Sequence, residues 1–244
     1  MAVCMGAPTA ATIRWRLLAS EVSVRYAASL FGPIDRRERT FIMSKQPSMF
    51  HEHHRALQDR FDGRRVADAL EKHRRLDAFG PEHAALIEEA PFFFLATAHA
   101  GSVDCSFKGG PPGFVRVTGP TTLEWPDFDG NSMYRSLGNI RGSGRAGLLF
   151  IRLDGSAERL RVNGQATLLE DHPSSADYPG SKLVVRLEAV EIFPNCPRYI
   201  PDLGAGRASA YLPEAGRALA KPAWKDRDYI RDILPEADPH GPDS

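Results

Sequence analysis

Arg135 and Ser136 stand where an anion could be held. They follow an acidic, glycine-containing turn over residues 127–131 and open a predicted short helix. At a helix start the first backbone N–H groups lack partners, and the helix dipole favours negative charge. A cation and a hydroxyl at that point describe a cradle for a phosphate. A capped surface helix after a hairpin is the alternative. The stretch that must position these residues spans 109–139, GGPPGFVRVTGPTTLEWPDFDGNSMYRSLGN. Its Gly/Pro corner feeds a short apolar strand over 114–117. A turn over 118–121 leads to a second strand over 122–126. Asn131 and Asn139 read as turn and cap residues.

Other chemistries lack their residues at the required spacing. His51, His53 and His54 cluster as HEHH, and histidines this close can bind a metal. A catalytic zinc helix needs HExxH, so a solvated helix lead-in is expected instead. Gly142, Gly144 and Gly147 spell GxGxxG, but they follow a predicted helix and open a predicted strand, the reverse of a dinucleotide fingerprint. There is no GxxxxGK[ST] loop and no GxSxG elbow, and Ser143 reads as a turn residue. Neither a paired-carboxylate nor a triad signature is present. Cys105, beside Ser106, could be a nucleophile, but nothing marks a lowered pKa, and a buried small hydrophobe is expected.

Lys+Arg and Asp+Glu are balanced at 31 each over 244 residues. A protein that lives on nucleic acid or an anionic membrane carries a basic excess, so neither partner is expected. Cys4, Cys105 and Cys196 lie far apart with no CxxC pair. Neither a disulfide framework nor a zinc ribbon is expected, and a reducing cytoplasm is the simplest compartment. No apolar run reaches the roughly 18 residues of a membrane span. The nearest, 17–31, is broken by Glu21 and Arg25.

Residues 1–44 differ from the rest, with six Arg, three acids and neither Lys nor His. They read as a disordered extension, as a mis-annotated extension upstream of a start at Met43, or as a transit peptide. Over 58–76, Val66, Ala69 and Leu70 at i, i+3 and i+4 predict an amphipathic helix, weakened at Gly63. Gly80-Pro81 starts a second helix running to Glu89. The character changes at Pro91. FFFLATA over 92–98 reads as a buried strand, with a return strand over 102–107. The predicted short helix puts Met133, Leu137 and Ile140 on one face. Further strands follow over 145–153, over 160–169 with Gly164 as a bulge, and over 182–192. About seven strands with short turns predict a closed or nearly closed antiparallel barrel rather than βαβ units.

With that barrel in place, GGPPGFVRV, WPDFDGNSMYRSLGNI, GLLF, LRVNGQA and NCPRYI resemble the pyridoxamine 5′-phosphate oxidase-like proteins, the FMN-binding split-barrel family. The resemblance covers roughly residues 58–203. It implies a mainly β fold, a six- to seven-stranded antiparallel split β-barrel with flanking helices. It also implies a homodimer, FMN in the cleft between subunits, and cytoplasmic flavin redox chemistry on a small substrate. Residues 45–90 would then be helices packing on a barrel of residues 91–203, with 204–244 a C-terminal tail. The resemblance makes Arg116 the first candidate for the FMN phosphate and ribityl chain, and puts Pro126 and Asp127 at a backbone contact with the flavin. Arg135 and Ser136 take the place of an Arg-Lys phosphate clamp. Ser136 replaces the second cation, and Lys108 is the substitute source of charge. Arg159 and Arg161 lie where a polar side chain approaches the ring, and a cation there would stabilise reduced flavin. For each Arg the alternative is a surface ion pair. Residues 198–244 contain Trp224 and Arg227 but no match to the Arg and His with which the oxidases bind pyridoxal, so that substrate is not implied. An FMN-dependent oxidoreductase is expected. The alternatives are a non-catalytic FMN-binding or flavin-sensing protein and a deazaflavin-dependent reductase.

Overall fold

The computed structural model describes residues 48–128, 130–173, 177–178, 180–196, 198–206 and 220–241. The expectations for residues 1–44, including Met43 and Cys4, lie outside these. The helix predicted over 58–76 is two helices, α1 (Glu52–Arg60) and α2 (Arg64–Arg74). The break falls at Asp62, whose φ of 51° is left-handed, and at Gly63. His51 and His54 cap α1 reciprocally. Each ring Nδ1 accepts the other residue's backbone N–H, at 3.4 and 3.3 Å. No group of three metal-binding side chains occurs among the described residues. Helix α3 (Pro81–Glu89) starts with Pro at its first turn and buries Leu86 and Ile87.

Seven strands follow: β1 (Phe92–His99), β2 (Ser102–Gly109), β3 (Arg116–Val117), β4 (Thr122–Phe128), β5 (Arg145–Ile151), β6 (Arg159–Leu169) and β7 (Ser181–Pro194). Helix α4 (Arg135–Ser143) lies between β4 and β5. The strands form one antiparallel sheet in the order β2-β1-β5-β6-β7-β4-β3, which is not closed by hydrogen bonds. Strict alternation supplies the interior. Phe93 and Leu95 of β1, Leu148 and Phe150 of β5, and Leu160 and Val162 of β6 are buried, joined by Trp125 of β4. Phe93 packs against Phe114, Trp125 and Phe150.

Three local expectations change. β3 is only two residues long, and Phe114 and Val115 are buried outside any strand. β1 is not buried on both faces. Phe92 and Phe94 point outward, where they meet Phe107 of β2, and Phe107 and Phe94 are 61% and 39% exposed. Cys105 lies on the same outer face and is exposed rather than a buried small hydrophobe, because its neighbours on β2 alternate inward.

The bulge expected at Gly164 is present, but its extra residue is on the partner strand. Asn163 pairs with Glu191 and Gly164 with Ala189, so Val190 of β7 has no opposite number. A Cβ at Gly164 would sit 2.0 Å from the Glu188 carbonyl oxygen, which explains the glycine. One extra residue flips side-chain parity, which is how Leu187 and Ile192 are both buried. Beyond the reach of β4, β7 is bridged by Leu76, whose N–H donates to the Ile192 carbonyl.

The segment 220–241 is anchored on α2. Ile230 and Leu234 are buried, and Tyr229 stacks on His73 of α2 at 4.1 Å between ring centroids. The Lys225 ammonium, also buried, donates to Asp238 at 2.6 Å. Burial alone would push the Asp238 carboxyl up. The Lys225 ammonium and the His240 N–H outweigh it and hold the carboxyl below its ordinary value. A carboxylate depressed in the folded state stabilises fully above its unfolded value of about 4, and the contribution is lost as pH falls through the lowered folded value. The anchor is therefore expected to loosen only below about pH 4, read as a change in Trp224 fluorescence that Asp238→Asn produces already at neutral pH.

Candidate functional site

Although β2 and β4 stand first and sixth in the sheet order, the sheet curls until both line one hollow. That split, closed at one end by α4, measures about 350 Å³. β2 contributes Asp104, Ser106 and Lys108 from one face of its alternation. β4 contributes Asp127 and Phe128, and the turn after it contributes Gly130 to Tyr134. α4 contributes Arg135, Ser136 and Leu137, and β7 contributes Lys182.

The approach to α4 is tightly bent. Ser132 and Tyr134 have φ of 59° and 50°, a region unfavourable for residues with a Cβ. The Asn131 carboxamide oxygen accepts the Met133 N–H at 3.0 Å and so holds the turn. Met133 therefore precedes the helix and is exposed, instead of sharing a face with Leu137 and Ile140, which are buried. Asn139 is inside the helix, not a cap, and donates to Thr97 Oγ1 at 3.2 Å. The N–H groups of the first turn of α4 have no partner within the helix.

Polar contacts at the floor of the hollow are asymmetric. Ser136 Oγ donates to Asp104 Oδ2 at 2.7 Å and lies 3.0 Å from Ser106 Oγ. The Ser136 proton is thus committed to a carboxylate. Arg135 is 55% exposed, with Nε 3.5 Å from Asp104 Oδ1 and a guanidinium N–H donated to the Val103 carbonyl at 3.4 Å. Lys182 donates to the Tyr134 hydroxyl at 3.2 Å. The Lys108 ammonium has no hydrogen-bond or ion-pair partner among the described residues. Three cations, Lys108, Arg135 and Lys182, face two carboxylates, Asp104 and Asp127. Exposed apolar surface of Phe107, Met133 and Tyr134 borders them.

Of the eight residues singled out in the sequence, Lys108, Asp127, Arg135 and Ser136 meet in this hollow. The other four do not line it. Arg116 pairs across β3–β4 with Glu124, three residues along β4 from Asp127 and so about 10 Å away at a strand's rise. Its guanidinium donates to Asp177 at 2.8 Å and lies 4.5 Å over the Tyr178 ring. Pro126 is buried in β4 opposite Val184. Arg159 and Arg161 point outward from β6, with Leu160 and Val162 inward. Asp104, Ser106 and Lys182 went unnoticed in the sequence. Nothing local marks them, because each enters the hollow only through the curl of the sheet.

A family model described as pyridoxamine 5′-phosphate oxidase matches residues 79–204. Among solved structures, the chain is similar to HupZ of Group A Streptococcus, at 17% identity over 54% of this chain and 98% of that one, with a TM-score of 0.40. It is similar to an FMN-binding protein of Syntrophomonas wolfei, at 15% identity over 57% and 95%, with a TM-score of 0.35. It is also similar to a FAD-binding protein of Mesorhizobium loti, at 12% identity over 50% and 93%, with a TM-score of 0.37. No curated protein matches the chain.

Proposed function

The chain belongs to the pyridoxamine 5′-phosphate oxidase family, whose model spans just over half of it, and from that premise we propose that it binds FMN in the hollow between β2, β4 and α4 and uses it as an oxidoreductase. One observation carries this proposal: three cations and the open N–H groups of a helix start converge beside exposed aromatic and methionine surface. A phosphate tail suits the first part and a flat, partly apolar ring system the second. Lys108 neutralises the phosphate directly, since no carboxylate competes for it. Arg135 reaches the phosphate while Asp104 fixes its position. Ser136 orders Asp104 and Ser106, and its own hydroxyl proton is not free for the phosphate. Asp127 meets the flavin from the end of β4. A bound flavin supplies the hydride chemistry, so no protein acid–base pair is required for the redox step.

Dimerisation and a cytoplasmic setting belong to the same proposal. The outward cluster of Phe92, Phe94 and Phe107, with Val103 71% exposed beside it, supports burial against a second copy. Three scattered cysteines with no CxxC pair support the cytoplasm. Among the described residues no helix is long and apolar enough to cross a membrane. Light scattering is expected to give about twice 26.9 kDa, and Phe94→Asp to return the protein to that single-chain mass. A wild-type monomer that still holds FMN tightly contradicts the shared-interface arrangement.

The direct test is the chromophore of the purified protein, released by heat and identified by mass. FMN is expected. A deazaflavin, or a colourless protein that takes up no FMN on titration, overturns the proposal. Reoxidation by oxygen with and without candidate substrates then separates an enzyme from a carrier or sensor of FMN.

A further inference from the structure

We propose that Asp104 is a specificity-determining residue of the hollow: its carboxylate already holds the side-chain donors at the start of α4, and so it limits how far the hollow prefers a phosphorylated flavin over an unphosphorylated one. This inference rests on the flavin reading of the same hollow and adds what sets its selectivity. The carboxylate is built in rather than a loose surface group. Its side chain is 12% exposed, and Asp104 pairs with Thr97 across β2 and β1. Residues paired in an antiparallel ladder point to one face. α4 is seated on both of them, because the Asn139 amide donates to Thr97 Oγ1 at 3.2 Å and Ser136 Oγ donates to Asp104 Oδ2 at 2.7 Å. Ser136 and Asn139 are three residues apart and share a helix face.

The same contacts take the donors a phosphate would use. Ser136 is buried, and its hydroxyl proton goes to Asp104. Arg135 Nε lies 3.5 Å from Asp104 Oδ1, so the cation at the helix start already faces a carboxylate. Lys108 stands four residues along β2 from Asp104, about 13 Å at a strand's rise, so its charge acts from the other end of the strand. A phosphate monoester carries a charge of about −1.5 to −2 at neutral pH. Brought to Arg135 and Ser136, it meets a fixed negative charge in a partly enclosed space, where like charges repel more strongly than in water. Riboflavin carries no phosphate and does not meet this repulsion.

The test compares FMN and riboflavin by fluorescence titration of the full chain. Asp104→Asn keeps an acceptor oxygen for Arg135 and Ser136 and removes the charge. It is expected to raise the ratio of FMN to riboflavin affinity about tenfold. Asp104→Glu keeps the charge and is expected to leave that ratio near the wild-type value. Asp104→Ser, smaller and neutral, is expected to raise the ratio as Asn does, which covers a failure of Asp104→Asn to fold. Coupling to Ser136 gives a second readout. Ser136→Ala is expected to change FMN affinity little in wild type but to lower it about fivefold or more in Asp104→Asn protein, where the neutral amide no longer outcompetes phosphate for the hydroxyl proton. A ratio unchanged in both neutral variants, or equal effects of Ser136→Ala in the two backgrounds, overturns the proposal. So does a parallel loss of both flavins in Asp104→Asn, which would assign the carboxylate to the ribityl chain. A wild type that takes up neither flavin refutes the flavin reading instead. Inorganic pyrophosphate then replaces FMN in a calorimetric titration: tighter binding by Asp104→Asn upholds the competition for the anion, and unchanged or absent binding overturns it.

Discussion

Lys108→Gln/Arg135→Gln is expected to weaken FMN binding about a hundredfold or more while leaving riboflavin affinity within about twofold. A hydrogen bond to a charged group contributes about 1.5–3 kcal/mol, and each 1.4 kcal/mol is a factor of ten. Arg135 is 55% exposed, so its share belongs at the low end of that range. Lys108 has no competing carboxylate and is expected to account for more of the loss. Riboflavin lacks only the phosphate, so the difference between the two ligands isolates the charge contribution from any general damage to the hollow. Ser136→Ala is expected to have a smaller effect, because its hydroxyl proton already goes to Asp104. Fluorescence titrations of both ligands against wild type and variants decide the matter. Equal loss for FMN and riboflavin, or no loss for either, removes the phosphate from this hollow.

The parts of the candidate hollow that depend on local chemistry were legible in the sequence. Arg135 and Ser136 were legible because a glycine-containing turn and a helix start are written in neighbouring residues. The strands were legible for the same reason, since alternation along 145–153 or 160–169 needs no knowledge of what lies opposite. Gly164 signalled its bulge, but the parity change appears on β7 at Val190, which only the register identifies. Residues whose role depends on the curl of the sheet stayed hidden. Asp104 and Ser106 look like any polar positions on an edge strand, and Lys182 like a solvated strand end, until β2 and β4 approach each other. Arg116 is the opposite case and lies outside the hollow. It follows the Gly/Pro corner in a favourable local pattern, yet the sheet order puts β3 at the edge and brings Asp177 and Tyr178 to its guanidinium. Met133 fitted a helical face in sequence spacing, but the left-handed Tyr134 starts the helix after it.

Arg186→Met is expected to destabilise the protein more than any change within the hollow. Glu124 is 3% exposed on β4, directly opposite Arg186 on β7. Arg186 contacts Glu124 Oε1 through Nε at 2.7 Å and through Nη2 at 2.6 Å. Removing the cation leaves a buried carboxylate without its partner, which costs about 3–5 kcal/mol in well-enclosed pairs. Arg186 is 39% exposed, so solvent screens part of the interaction, and about 2–4 kcal/mol is the expected loss. For a chain of this length that lowers the unfolding midpoint by roughly 10 °C. Glu124→Leu/Arg186→Met removes the stranded charge with its partner and is expected to recover most of the difference, since a buried pair is worth little against apolar groups of similar size. Neither residue lines the hollow, so the variant that remains folded should keep its FMN affinity. The Glu124–Arg186 pair spans β4 and β7, whose register brings Asp127 and Lys182 to the same end of the split. A destabilised Arg186→Met protein with unchanged FMN affinity shows that packing and backbone hydrogen bonds hold the register without the charge pair. Loss of FMN affinity in step with stability shows instead that the ion pair is what keeps the two strands aligned at the site.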